Sequence, residues 1–333
     1  MNVEYRFLTL QELENLLSYS EVDSENILNS GLELYKTAIV KHPYRKYNDY
    51  IICLAIVEGK IVGRYILFRT KLKVGKQVID VQTGGGILVS EKYRGLGIGK
   101  ALINTVLQND IYWGALYTRA AYNIVKITET MLEIPQYVKS LRRGIKSILD
   151  IHIHIKSWLL KRRIVIEKLS VVPNWVNNMI MVEGHKYMEV HDASWLQWAL
   201  NNTATGNTND YQSFFAVYDK KMHPIGFYMT KTRTIEQSGL YYTKSNLVEW
   251  ASISKNIKEF DINILALNTL DSSVEKFWTI SYDKITGKKQ QRYSFQRKGW
   301  FAMSVRNNEH YNDIGNPDKW RIRYGAGNTT LVE

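Results

Sequence analysis

The sequence predicts a layered α/β (α+β) fold, a mixed sheet flanked by helices and organised in two similar halves. Three observations carry this. Strand–turn–strand patterns of similar size occur in both halves. A strand, a glycine loop and a helix follow one another early in the chain. The 333 residues include 45% apolar side chains and only five prolines, which excludes a linker or a fibre and leaves room for one large domain or two ordinary ones.

The stretch Gln11–Tyr35 has apolar residues at helical spacing (Leu13, Leu16, Leu17, then Leu28, Leu32, Leu34). Two β-rich runs, Ile51–Val57 and Ile61–Phe68, flank Glu58-Gly59-Lys60 and read as a hairpin, with Glu58 a solvated turn residue. A third strand is expected at Gln77–Val81 and a fourth at Gly86–Val89, followed by the glycine loop and a helix over Lys100–Gln108. In the second half, Phe214–Tyr218 and Ile225–Thr230 form another hairpin around Asp219–Pro224, and Asn263–Leu267 reads as a buried strand. The segment Asn201–Asp210 reads as a surface loop. Trp195 and Trp198 share a helix face and read as core, with a sugar platform as the alternative.

The loop itself, Arg94-Gly95-Leu96-Gly97-Ile98-Gly99-Lys100, has the makings of an anion site. Bare backbone lets several N–H groups converge on phosphate oxygens, and a helix start adds favourable potential. A P-loop is excluded, because Gly99-Lys100 is followed by Ala101. A dinucleotide loop is disfavoured by the glycine spacing and by the hairpin meander upstream.

The same residues resemble the Q/R-x-x-G-x-G/A loop of the GNAT acyltransferase superfamily, with ILVSEKY before it and Leu102, Ile103 and Val106 on the helix after it. The resemblance covers about residues 1–138. It implies a GNAT-like sheet and acetyl-CoA as acyl donor. Leu88 and Val89 would offer backbone to the pantetheine arm; Arg94, Gly95, Leu96, Gly97, Ile98 and Gly99 would wrap the pyrophosphate, and Lys100 would open the helix. A weaker likeness, through EIPQYVKSLRR and SWLQWAL, is to tandem-GNAT proteins of bacterial surface-polysaccharide gene clusters. It implies two GNAT-like domains, 1–140 and 170–333, joined by a basic amphipathic linker over 141–169. The second half has no such glycine loop, so its coenzyme site is expected to be lost.

Acyl transfer to nitrogen needs a neutral amine, an acceptor for its proton, hydrogen bonding to the developing oxyanion and a proton for the departing thiolate. The family often places a carboxylate on the strand before the loop, but VQTGGGILV has none. Gln82 and Thr83 are its polar side chains, candidates for orienting a water or the acyl carbonyl. Gly84-Gly85-Gly86 reads either as room for a bulky acceptor or acyl group or as a plain β-bulge. The family's tyrosine position, aligned on Lys126, falls on Ile124; Tyr122 is the candidate acid and Tyr117 a weaker one. Glu129 and Glu133 are further candidates for facing the acceptor.

Cys53 is the only cysteine. It fits a reducing compartment and reads as a buried, inert thiol. The opening MNVEYRFLTLQELENLL lacks the basic start of a secretory leader, and no run of about 18 uncharged apolar residues occurs, so the expected location is the cytoplasm. His152 and His154, in IHIHIK, would share one strand face with no third ligand near, and no metal is expected. The net charge of +12 is concentrated: Lys139–Lys168 carries nine Lys/Arg against Asp150 and Glu167. The segment reads either as a solvated helix between domains or as peripheral contact with an anionic membrane through 141–169, and it disfavours a nucleic-acid partner.

The expected function is acyl-CoA-dependent N-acyl transfer to an amino sugar or similar small amine, in surface-polysaccharide biosynthesis, with the oligomeric state open. Two alternatives stand beside it: a Fem-type enzyme taking aminoacyl-tRNA, and a non-catalytic module binding coenzyme A or a glycan.

Overall fold

The structure, a computed structural model, describes residues 2–19, 39–109, 112–115, 130–141, 148–202, 210–281, 283–304, 313 and 316–325. The first half runs β1 (Glu4–Thr9), α1 (Leu10–Tyr19), β2 (Tyr50–Val57), β3 (Lys60–Val74), β4 (Gln77–Val89), α2 (Ile98–Asn109), β5 (Tyr112–Ala115) and β6 (Thr130–Ser140). Helix α3 (Ile148–Lys161) leads into β7 (Ile164–Leu169), α4 (Trp175–Met181), β8 (Tyr187–Glu189), α5 (Ala193–Asn201), β9 (Tyr211–Asp219), β10 (Pro224–Gln237) and β11 (Leu240–Ser252). Then come α6 (Glu259–Thr269), β12 (Lys276–Ile280), α7 (Lys284–Gln291), β13 (Phe295–Ser304) and β14 (Trp320–Arg321).

The strands join one sheet in the order β1-β2-β3-β4-β5-β13-β6-β12-β11-β10-β9-β7, with β8 bridging β3 and β14. This order reads alike from both ends if β1 is matched with β7, β2 with β9, β3 with β10, β4 with β11, β5 with β12 and β6 with β13. In this order each half contributes a matching parallel pair, β4 with β5 and β11 with β12, and β8 also pairs with β14 in parallel. Between them β6 and β13 lie antiparallel, so each half inserts one strand into the other's ladder.

The β2–β3 hairpin closes on Glu58 (φ 50°) and Gly59 (φ 75°), a two-residue turn with both residues left-handed. The strands expected at Gln77–Val81 and Gly86–Val89 are one strand, β4, which carries a bulge at its glycines. The run Asn263–Leu267, expected as a strand, lies in α6. That helix is buried from Phe260 through Ala266, so its sequence lacks the polar stripe that marks a surface helix. Its start is set by the Lys258 N–H donating to Asp261 Oδ2 at 3.0 Å. His152 and His154 sit on α3 rather than a strand, about 200° apart around it, and both are exposed. The remainder of the expected N-terminal helix, 20–35, and most of the 201–210 loop lie outside the described residues.

Among the described residues three cores back the sheet. One lies under α2 and combines Cys53, Ala55, Val62, Tyr65 and Leu67 with Ile98, Leu102, Ile103 and Val106. Each such buried aliphatic side chain contributes roughly 1.5–3 kcal/mol. A second lies under α3 and α6. The third takes residues of both halves, from Leu54, Ile66 and Phe68 to Trp195, Trp198, Phe214 and Phe227, and places both helical tryptophans in the core. Burial pushes the Cys53 thiol up to about 12, as an inert core cysteine requires.

A buried charge network in the second half reaches the first through Thr70. Glu249 on β11 accepts from Arg321 at 2.7 Å and pairs with His191 at 2.6 Å. Thr70 on β3 donates to Glu189 at 2.6 Å, and His191 stacks on Trp195 at 3.8 Å. Burial opposes a charge on His191, but Glu189 and Glu249 overcome it and raise its pKa to about 9. Burial opposes a charge on Glu249 as well; Arg321, His191 and Arg323 outweigh it and hold the carboxyl near 2.

Candidate functional site

Strand β4 pairs with β5 at only two positions, Gln82–Tyr112 and Thr83–Trp113. Beyond Thr83 it keeps β3 on one side, and among the described residues the other edge is unpaired from Gly84 to Val89. Its N–H and C=O groups there suit a ligand that carries amides. Leu88 and Val89 lie on this half-buried edge. Gln82 and Thr83 are buried where the two strands part, and the Thr83 hydroxyl has no hydrogen-bond partner among the described residues.

After β4 the chain turns tightly. Ser90 N–H bonds Val62 O at 2.9 Å, and a short 3₁₀ turn covers Glu91–Tyr93. Arg94 is extended, and its guanidinium donates to Val89 O at 3.3 Å and Glu91 Oε1 at 3.1 Å. Gly95 (φ 84°) and Gly97 (φ 81°) are left-handed, and nothing lies within 4 Å of the place a Cβ would take on either. Glycine is therefore required there by conformation, and the space in front of the loop is open. The helix opens at Ile98 rather than Lys100; Gly97 O accepts from Ala101 N–H at 3.0 Å. Gly99 and Lys100 lie in the first turn, whose N–H groups have no intrahelical acceptor. Leu96 is 58% exposed, whereas Ile98 is buried and anchors the helix on Gly63. A half-exposed Arg94, the loop amides and a helix N-terminus thus converge on one open place, which fits a pyrophosphate.

At Gly84 the triple glycine does not leave room for a bulky group. Gly86 (φ 59°) forms a bulge, and the space above Gly84 is filled by the Tyr65 ring. Tyr65 was not legible as a site residue, because only the register of β3 on β4 brings it there. Tyr122, Tyr117 and Glu129 lie outside the described residues, and Glu133 belongs to β6.

The matching place in the second half is built differently. From Ile253 to Lys258 the chain has no glycine before α6. Beside β11, the chain's own C-terminal segment takes the edge: Gly325 N–H bonds Val248 O at 2.9 Å, and Arg321 donates to Trp250 O. A cavity of about 660 Å³ remains at the starts of α6 and α7, lined by Glu259, Asp261, Asp283 and Arg323 among others. Burial raises the Glu259 carboxyl to about 7. Charged side chains of both signs, with Lys156 paired to Asp261, thus stand where the first half presents bare amides. Among the described residues no three metal-ligating side chains converge.

Residues 18–118 match the acetyltransferase (GNAT) family. No curated protein matches the chain. Solved structures similar to it include a GCN5-related N-acetyltransferase from Anabaena variabilis, 14% identical, covering 90% of this chain and 72% of that one with a TM-score of 0.54. Another, from Kribbella flavida, is 12% identical and covers 90% and 71% with a TM-score of 0.52. Saccharomyces cerevisiae N-myristoyltransferase with bound myristoyl-CoA is 10% identical and covers 92% and 83% with a TM-score of 0.54. The fold is a GNAT fold, as expected from the loop, and the chain carries an acyltransferase domain within it.

Proposed function

We propose that this chain is an acyl-CoA-dependent N-acyltransferase, taking acetyl-CoA and passing the acetyl group directly to the amine of an amino sugar or similar small acceptor. The observation that carries the reading is the continuity of the open β4 edge with the left-handed glycine loop and the start of α2. Coenzyme A supplies the activated thioester. Arg94, Gly95, Leu96, Gly97, Ile98, Gly99 and Lys100 hold its pyrophosphate through amides and the guanidinium, and the backbone of Leu88 and Val89 holds the arm. Gln82 and Thr83, buried where β4 and β5 part, orient the acyl carbonyl or a water. Tyr122 is the candidate proton donor that the sequence offers.

The symmetric strand order supports two GNAT-like units in tandem over 1–140 and 170–333. Strand β7 lies in the second ladder, so we place the start of that unit at Ile164. The filled β11 edge and the missing glycine loop support loss of the second coenzyme site. The surface-polysaccharide role rests on sequence resemblance, and so does the amino sugar. No helix among the described residues is long and apolar enough to cross a membrane; we assign the protein to the cytoplasm, with α3 touching the membrane surface.

The test is calorimetry with acetyl-CoA on the wild type and on Gly97→Glu. The substitution introduces a carboxylate where phosphate is expected, at a conformation that costs a non-glycine residue about 1–2 kcal/mol. Micromolar binding by the wild type, weakened by at least about 100-fold in a folded variant, is expected. A folded wild type that binds no acetyl-CoA overturns the assignment.

A further inference from the structure

Tyr65 on β3 has no part in the reaction as described so far, yet its position is unusual. A Cβ placed on Gly84 would stand 2.3 Å from Tyr65 Cζ and 2.4 Å from its hydroxyl oxygen. The ring therefore lies across strand β4, over Gly84, and only glycine permits that crossing. Gly84 is also the first residue of β4 beyond its last pair with β5, Thr83–Trp113. The bulge belongs to the same arrangement. Arg64 pairs with Leu88 and Ile66 with Gly85, which leaves Tyr65 opposite Gly86 and Ile87. Bulges re-aim side chains next to functional sites.

The hydroxyl also lies on the correct side of the sheet. Tyr65 packs in the core that Ile98 and Leu102 of α2 complete, so its ring shares a face with the glycine loop. The distance agrees as well. A pantetheine arm is about as long as four residues of extended chain, roughly 14 Å. An arm anchored at the loop and laid along β4 from Val89 spans four to five residues at about 3.3 Å each, which brings its sulfur to Gly85 or Gly84. At that point the phenol is 3% exposed, in surroundings where a hydrogen bond to a developing charge is worth more than in water.

We propose that the Tyr65 hydroxyl is the acid that protonates the departing thiolate, a catalytic role that rests on the acyl-CoA reading above. The amine nitrogen bonds the acyl carbon, the C–S bond breaks with its electron pair on sulfur, and the Tyr65 proton passes to sulfur to give the free thiol. The proton given up by the acceptor nitrogen returns through water to the phenolate, so the enzyme ends as it began. Tyr122 is then not needed as the acid.

The test uses Tyr65→Phe, which keeps the ring over Gly84 and so leaves the fold in place. Binding of coenzyme A is compared with that of desulfo-coenzyme A by calorimetry, which needs no acceptor. The wild type is expected to prefer coenzyme A by about five- to tenfold, the worth of one hydrogen bond, and Tyr65→Phe to bind the two alike. Turnover with hydroxylamine as a surrogate amine is expected to lose about 10²–10⁴-fold in kcat. The KM for acetyl-CoA stays unchanged and the basic limb of the pH profile disappears. A Tyr65→Phe protein with the wild-type preference for coenzyme A and wild-type kcat overturns the proposal. A large loss in Tyr122→Phe instead passes the role to that residue. A folded wild type that binds neither ligand removes the coenzyme site itself, and the proposal falls with it.

Discussion

Glycine serves three purposes between residues 84 and 97, and a different substitution exposes each. At Gly84 it admits the Tyr65 ring, at Gly86 it forms the bulge, and at Gly95 and Gly97 it allows left-handed loop backbone. Alanine at Gly84 would force the phenol aside within a packed core. We expect Gly84→Ala to lower stability by about 1–3 kcal/mol, read as a shift of the urea midpoint. It should also lose the preference for coenzyme A over its desulfo analogue, whereas Gly59→Ala, left-handed but in an exposed turn, should cost about 1 kcal/mol with the preference intact. Equal effects on that preference would contradict the assignment of the Gly84–Tyr65 contact. The loop glycines were legible in the sequence because their reason is local: spacing, a preceding strand and a following helix. The reason for Gly84 was not, because it lies in the register of a neighbouring strand. Gln82 and Thr83 could be placed on their strand, but not at the point where β4 and β5 part.

Among the elements, the hairpins and α2 were readable, while α6 reads as a strand and the histidine pair of α3 as if it lay on one. Helix α6 is buried on nearly every side, so its apolar run has no period to distinguish it from an inner strand. Helix α3 contains an Ile/His alternation that mimics a strand, but its buried Ile153 and Leu160 and its exposed Ile151, Ile155 and Trp158 fall on opposite faces. The exposed face is unusual for a surface helix. Ile151, Ile155, Trp158 and Leu159 are 52%, 54%, 52% and 45% exposed, and Arg162 lies over the Trp158 ring at 3.5 Å. No acid occurs from Ile151 to Ile166, against Lys156, Lys161, Arg162 and Arg163. An apolar stripe with a cationic rim suits an anionic lipid surface. A second copy docked two-fold on this face would oppose like charges. Sedimentation with vesicles should therefore show binding to anionic but not zwitterionic lipid, at least about tenfold weaker in 0.5 M salt, and lost in Ile155→Glu/Trp158→Glu. Salt-insensitive self-association on ultracentrifugation, with no vesicle binding, would refute this.

At the scale of the whole molecule, the exchange of β6 and β13 makes the two halves one folding unit. Their buried charges give that unit a pH signature. The His191 pKa is raised from 6.5 to about 9, so its contribution is complete below 6.5 and lost as pH rises through about 9. Glu249 is lowered from 4.5 to about 2, so its contribution is present above 4.5 and lost as pH falls through about 2. Glu259 is raised from 4.5 to about 7, so stability it lends at low pH is lost as pH rises between those values. Urea midpoints should therefore be highest at mildly acidic pH and fall from pH 6.5 to 9, with the loss from His191 on the order of 3 kcal/mol; a midpoint that stays level over that range would rule the network out. The division of labour between halves follows from the same exchange. In residues 1–140 alone, β6 would lose both neighbours, since β13 and β12 come from the second half. Strand β3 would lose β8, with the Thr70–Glu189 bond, and the shared core would be opened along Ile66 and Phe68. The coenzyme loop would be intact in sequence and yet unsupported. We expect this fragment to give no cooperative unfolding transition and no acetyl-CoA binding, and co-expression with residues 141–333 to restore both. A fragment that unfolds cooperatively and binds acetyl-CoA as the full chain does would show that the loop's half is self-sufficient and that the exchanged strand only tethers the second half to it.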